Sequence, residues 1–359
     1  MLNTIGKCLR LTTFGESHGP AIGGVIDGCP AGVVINMEDI SQQLKRRRTG
    51  EQFYSSKRHE KDEVEFLSGI SKGITIGTPL AFIIRNLDAK PADYIKLQNV
   101  YRPSHADYSW EQKFDLPLGS GGGRSSARAL VPCVVAGSIA ASILSSTPIK
   151  IIAWVSQIGP YGIHLPDGPF PQADINSNSL RCPDKKAAKN MLAWLEELKH
   201  KGDTTGGIIT CSVTGCHAGI GEPFFGKLHA ELAHAMMCIN SVKGFEYGSG
   251  FCAAAMKGSE YNDALVVKNG CVHTATNHDG GINGGISNGE DIIFRVAFKP
   301  VSSLGMEQNT LNKDKKPIKI KIHGRHDTCV VPRAVPIVEA FAYLVIADHF
   351  LMQKIRKNP

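Results

Sequence analysis

Three stretches of the chain, residues 209–213, 292–298 and 318–322, alternate between apolar and polar side chains. Successive side chains of a strand point to opposite faces, so each reads as a strand with one face on a core. Such half-polar strands suit antiparallel sheets, since parallel strands are covered on both faces and read as continuous apolar runs. Helical spacings lie between them. Asn36 stands at an N-cap position, Ile40 and Leu44 share a face, and Gly50 follows. This predicts a short helix ending at Arg46, Arg47 and Arg48. Met191, Leu192, Leu195 and Leu198 predict a second helix, and Leu228, Leu232, Met236 and Ile239 a third. The mixed order of strands and helices points to an α+β fold.

Residues 127–145 and 334–350 are the most apolar stretches. The first carries Pro132 and several Ser, the second Glu339 and Asp348, so both read as buried helices and not as membrane spans. With 359 residues, 42% hydrophobic and 20% charged, the chain can bury a sizeable core. Neither a Pro- or Ser-rich linker nor an internal repeat divides it, so one domain over residues 1–359 is expected. The opening residues lack the apolar core and cleavage site of a secretory signal. Ten Cys stand far apart without a CxxC pair, which argues against a zinc cluster and for reduced thiols in the cytosol. The formal net charge of +7 fits either nucleic acid or acidic small molecules.

Where the cations sit decides between those partners. Residues 119–128 hold four Gly, then Arg124, Ser125, Ser126 and Arg128, directly before an apolar helical stretch. Consecutive Gly let backbone N–H groups turn inward, and a helix start adds partial positive charge. The segment reads as an anion cradle; a surface loop is the bland alternative. It has neither the Gly-Lys-Ser/Thr of a P-loop nor the GxGxxG of a dinucleotide fold. The run Lys45 to Arg48 either complements a helix dipole or offers an Arg to a carboxylate or phosphate. His18, between Gly on a tight turn, is a candidate proton donor, while Ser17 beside it makes no nucleophile–base pair. His105 and Asp107 follow Pro103, with catalytic and capping readings both open. Gly280, Gly281, Gly284 and Gly285 leave bare backbone for a large ligand, or form a turn-rich loop. Arg325 beside Asp327 is an ion pair, or an anion anchor with a base. The 13 His form no HxxxH pair, so no metal is expected. Aromatic residues make up 7% of the chain and are not interleaved with the cations, so no nucleic-acid partner is expected either.

Taken together these segments resemble the chorismate synthase family along nearly the whole chain. GESHGPAIGGVIDGCP, RRRTG, EKDEVEFLSG, RPSHADY, GGGRSSAR, INSVKGFEYGSGF, GGINGGISNGEDI, KPVSS and GRHDTCVVPRAVPIVEA fall in that family's order. The resemblance implies a β-α-β sandwich, with helices layered between two antiparallel sheets, assembled as a homotetramer. It implies a phosphate-eliminating carbon–oxygen lyase. Such an enzyme converts 5-enolpyruvylshikimate 3-phosphate to chorismate by 1,4-elimination, the last common step of the shikimate pathway to aromatic amino acids. Reduced FMN is the implied cofactor; NADPH would act only indirectly, as reductant for an external flavin reductase. Carried over by position, His105 protonates the leaving phosphate, His18 serves the reduced flavin as proton donor, and Asp327 assists hydrogen removal through the flavin. Arg47, Arg128 and Arg325 are the implied substrate anchors. Arg47, Arg124, Ser125, Ser126, Asn240, Ser241, Gly284, Lys299, Pro300, Val301, Ser302, Ser303 and Arg325 are the implied flavin contacts.

The chain departs from the family pattern at Thr49, Phe53, Ala129, Leu130, Val301 and Thr328, and also at Gly226 and Ser249. Phe53 stands where the family has a basic residue associated with nicotinamide nucleotide. Those departures carry an alternative reading, a weakened family member that keeps the fold and the anion binding.

Overall fold

The computed structural model describes residues 3–48, 52–56, 58–89, 97–163, 169–322 and 327–356. Two five-stranded antiparallel sheets dominate it. The first runs in the order Thr4–Ile5, Arg10–Gly15, Ala21–Asp27, Leu80–Arg85, Val64–Phe66. The second runs Tyr161–Gly162, Lys150–Ile158, Gly207–Thr214, Ile292–Phe298, Val242–Tyr247. The helices are α1 (Met37–Arg47), α2 (Asp107–Phe114), α3 (Val131–Ile143), α4 (Gln172–Ile175), α5 (Lys185–Lys201), α6 (Leu228–Met237), α7 (Gly258–Tyr261) and α8 (Val331–Arg356).

The layering follows from which helices are apolar all round. α3 packs on the first sheet through Arg10–Gly15 and Ala21–Asp27, α8 packs on the second through Lys150–Ile158 and Gly207–Thr214, and the two helices pack on each other. Buried between sheet and helix on both sides, neither can carry a polar stripe, which is why both read as near-continuous apolar stretches. α8 is long and apolar enough to cross a membrane, yet 83% of its apolar window is inside the fold. α1 and α6 pack against α8 and complete the middle layers, the arrangement expected from the resemblance.

The helix readings hold. Asn36 caps α1, its side chain accepting from the backbone N–H of Glu38 and Asp39. Ile40 and Leu44 are buried, and the helix ends in Lys45, Arg46 and Arg47, where cations complement the helix dipole. Gly50 and Thr49 lie outside the described residues. Two strand readings need correction. Residues 209–213 are buried on both faces, because Gly207–Thr214 is the central strand of its sheet. Thr210 hydrogen-bonds the Ser156 hydroxyl at 2.9 Å, and its register partner Trp154 is covered by Phe170. A buried hydroxyl with a partner is tolerated where a lone one is not, so the polar alternation does not mark a solvent face here. Pro317–Lys321 keeps its alternation but borders no main core. It pairs with Glu307–Asn312 in a separate three-stranded sheet whose side chains are at best half-buried.

One glycine sets the spacing of the central helices. A Cβ on Gly137 of α3 would lie 2.4 Å from Cα and Cβ of Ala340 on α8. Backbone cannot yield as a flexible side chain would, so the two helices cross at a distance only glycine permits. Gly137→Val is expected to lower unfolding stability by about 1–3 kcal/mol through overpacking. Urea titration followed by circular dichroism checks this; an unchanged midpoint would contradict the packing described.

Candidate active site

The site forms where the C-terminal end of α1, the loop before the first sheet's edge strand Val64–Phe66 and the Gly-rich segment before α3 converge. Three consecutive glycines there, Gly121, Gly122 and Gly123, have φ values of 67°, 89° and 49°. That left-handed run is readily available only to Gly, and it turns the backbone of the cradle back on itself. Gly123 O then accepts from Ser17 N at 3.4 Å and from Ser126 N at 3.3 Å, which clasps the His18 turn to the cradle. A Cβ on Gly121 would lie 2.3 Å from His18 Cδ2, so the imidazole sits directly on the bare backbone. Asn86 secures the same turn from the other side, donating to Glu16 O and Gly19 O.

A cleft of about 210 Å³ opens beside the cradle. Arg47, Arg48, Arg58, Arg128 and Arg333 line it, with Glu60, Asp62 and Asp327 as its carboxylates. Asp62 holds the arrangement together. It sits at φ 52°, its side chain wholly buried, paired with Arg128 and 3.6 Å from Arg47. The side chains of Arg47 and Arg128 are 7% and 3% exposed, so both cations are buried about Asp62, with the Glu60 carboxylate 3.9 Å from Arg128. Burial, with the Arg333 charge adding to it, pulls Arg47 down to about 9, still cationic at neutral pH. Among the described residues, the Nε atoms of Arg47 and Arg48 are buried without a hydrogen-bond partner. Buried donors without acceptors are costly, and a cleft holding them is short of an anion.

His105 stands at the edge of that cleft. Its Nδ1 lies 3.0 Å from Pro103 O and its Nε2 3.0 Å from the Ser303 hydroxyl, and Ser303 lines the cleft. A carbonyl only accepts, so Nδ1 carries the proton, and in the neutral ring Nε2 accepts from Ser303. Burial, helped by the Arg102 charge, holds His105 down at about 4, so the ring is neutral at pH 7. The sign follows directly: the unfolded chain takes up this proton near pH 6.5, so stability falls as pH drops from there towards 4. Asp107 is structural. It accepts from the backbone N–H and the guanidinium of Arg102, and those bonds outweigh burial to hold its carboxyl below the usual range. Asp327 lines the cleft, accepts from Ser56 N at 2.9 Å and lies 3.4 Å from Arg333.

The remaining expected residues divide. Asn240 donates to Ser125 O at 2.9 Å, and Lys299 N donates to Ser241 O, so these positions form one continuous rim with Ser126, Val301 and Ser303. Lys299 and Ser302 reach Ser104 O, next to His105; Pro300 joins them in the chain. Arg124 donates instead to the Thr13 hydroxyl at 2.8 Å and to Asn3, tying the cradle to the first sheet. Gly284 is exposed at the tip of the hairpin formed by Ile282–Asn283 and Ile286–Ser287, with open space where a Cβ would be. Arg325 lies outside the described residues. Asp62, Glu60, Arg58, Asn86 and Arg333 were not singled out from sequence. The available signal was the acidic cluster of EKDEVEFLSG, since a buried Arg pair needs a carboxylate from somewhere.

Three comparisons bear on this arrangement. The family model for chorismate synthase matches residues 9–351. A protein from Parabacteroides distasonis named chorismate synthase is 51% identical over 99% of this chain and 100% of its own length. Another of that name from Azobacteroides pseudotrichonymphae is 51% identical over 98% of this chain and 99% of its own. A solved crystal structure of chorismate synthase superposes with a TM-score of 0.74 at 28% identity, covering 97% of this chain and 93% of that one.

Asp62→Asn removes the counter-ion of two buried guanidinium groups. It is expected to lower stability by about 3–5 kcal/mol, with part of the loss recovered in phosphate buffer. Denaturant titration in buffers with and without phosphate measures both effects; a loss below about 1 kcal/mol would contradict that role for Asp62.

Proposed function

The chain belongs to the chorismate synthase family, a lyase of the shikimate pathway, and on that premise we propose that its arginine-walled cleft expels phosphate from 5-enolpyruvylshikimate 3-phosphate. The observation that carries this is the pair Arg47 and Arg128, buried about Asp62 in a cleft that His105 reaches through Ser303. Among the described residues, five guanidinium groups and three carboxylates line that cleft, which leaves net positive charge for a phosphate or carboxylate, and guanidinium groups bind both bidentately.

The residues also suit reduced FMN. The left-handed glycines leave bare backbone, and Ser125, Ser126, Asn240, Ser241 and Lys299 to Ser303 supply a polar rim. When bound there, reduced flavin supplies an electron-rich surface that eases loss of phosphate from a carbon framework lacking an activating carbonyl. The chain's own residues do the rest. Arg47 and Arg128 grip the anionic groups and fix the ring. A phosphate dianion placed beside Nε2 of His105 favours the charged imidazole, opposing its burial. Nε2, protonated from solvent, then donates to the phosphate oxygen as the carbon–oxygen bond breaks. Asp327, a cleft carboxylate that accepts from Ser56 N and lies 3.4 Å from Arg333, assists removal of the ring hydrogen as a proton. His18 on the Gly121 backbone is the proton donor facing the cofactor.

Phe53 is exposed, with the Lys199 amine 5.5 Å over its ring, and gives a nicotinamide nucleotide no cation. Reduced flavin is therefore taken from an external reductase, with NADPH acting only at that step. Ten free Cys suit the cytosol. Phe224 and Phe225, and Val267 and Val272 of one hairpin, expose apolar surface for association into a homotetramer. The weakened-member reading is not favoured. Ala129 and Leu130 are buried at the start of α3, and Thr328 is buried with its N–H on Tyr54 O, so these departures alter packing behind the cleft.

With reduced FMN under anaerobic conditions, chorismate and phosphate are expected in equal amounts. His105→Ala is expected to lower kcat by about 10²–10⁴-fold with a far smaller change in KM. Unchanged kcat in that variant would remove His105 from the chemistry, and absence of product from folded, flavin-binding protein would sink the reaction assignment.

A further inference from the structure

Behind the substrate cleft lies a second depression of about 190 Å³, lined by Lys45, Arg46, Arg48, Arg181 and Arg333 and, among the described residues, by no carboxylate. Its other walls are neutral hydrogen-bonding groups, among them Asn178 and Ser179. Among the described residues, two of the five cations have carboxylate partners: Arg46 pairs with Glu339 and Arg333 with Asp327. Arg181 is held in place by donating to Arg46 O at 2.7 Å and to Pro332 O, and it shares the Glu339 charge with Arg46. Arg48 keeps a buried Nε without a partner among the described residues, and Lys45 stands exposed beside it. Burial, then the like charge of Arg46, pulls Arg181 down to about 10. Five cations gathered this closely with two carboxylates repel one another unless an anion sits among them.

Arg48 and Arg333 line both this depression and the substrate cleft. They form a shared wall, so an anion leaving the cleft meets a second set of guanidinium groups before solvent. The lining of guanidinium, amide and hydroxyl groups suits a small hydrogen-bonding anion. Tyr54, the aromatic residue in the lining, is buried with its hydroxyl on Ser179 O, so no flat apolar floor awaits a ring. We propose that this depression is a separate site for inorganic phosphate, through which the phosphate expelled from the substrate cleft leaves by way of Arg48 and Arg333. The proposal rests on the elimination reading for its role, but the anion site itself does not.

Tungstate, a tetrahedral dianion with strong anomalous scattering, reports occupancy in crystals whether or not the protein turns over. Two anomalous peaks are expected, one between Arg47 and Arg128 and one between Arg48 and Arg181. A peak at the first position alone overturns the proposal even if catalysis is confirmed. In the assay, inorganic phosphate is expected to retain an inhibitory component at saturating substrate. Lys45→Glu, a change at an exposed position, is expected to raise the inhibition constant of that component about tenfold. Purely competitive inhibition, unaltered in Lys45→Glu, also overturns the proposal. A second tungstate peak in a protein that yields no chorismate would instead contradict the reaction while leaving the site in place.

Discussion

The carboxylate of Asp62, buried between Arg47 and Arg128, ties together three parts of the chain that are distant in sequence. Arg47 ends α1, Arg128 stands just before α3, and Asp62 lies in the loop leading to the edge strand Val64–Phe66. An isolated buried guanidinium would be strongly disfavoured, so each element needs the others in place. The pairing gives the cleft fixed cations that do not reorganise when an anion arrives, which is how preorganised electrostatic stabilisation works. The cleft as a whole, with five guanidinium groups and three carboxylates among its described residues, is short of anions, and a phosphate-bearing substrate can supply the missing charge.

The same shortage governs His105. Without an anion, burial and Arg102 keep its ring neutral, and the Pro103 carbonyl fixes which nitrogen carries the proton. The group that donates a proton in the proposed reaction is thus an acceptor in the free protein. Coupling protonation to occupancy keeps the acid from acting on an empty cleft. The sandwich serves this arrangement by clamping the cradle: α3 grows directly out of it and is locked against α8 at Gly137.

Much of the fold was legible in sequence wherever one periodicity governed one environment. Asn36, Ile40 and Leu44 specify α1 because capping and burial agree there. Residues 209–213 misled because Thr210 satisfies its hydroxyl internally, which pattern alone does not reveal. In the site, the turn of the Gly-rich cradle was readable because Gly runs have few other uses, whereas the residues around His105 left catalytic and capping readings open. Asp62 and Arg333 were not: an acid in the charged stretch EKDEVE looks like a solvated surface, and a lone Arg in an apolar stretch gives no hint of its partner. Arg124 looked like a cradle donor, yet its guanidinium is held by Thr13 and Asn3, a contact between residues far apart in sequence.

The most direct test of this account is ¹⁵N NMR of the His105 ring near pH 6.5, assigned by comparison with His105→Asn, before and after adding enolpyruvylshikimate phosphate. The account predicts a neutral ring with its proton on Nδ1 in the free protein and an imidazolium in the complex. A ring already charged when free, or still neutral with the phosphate bound, would contradict it.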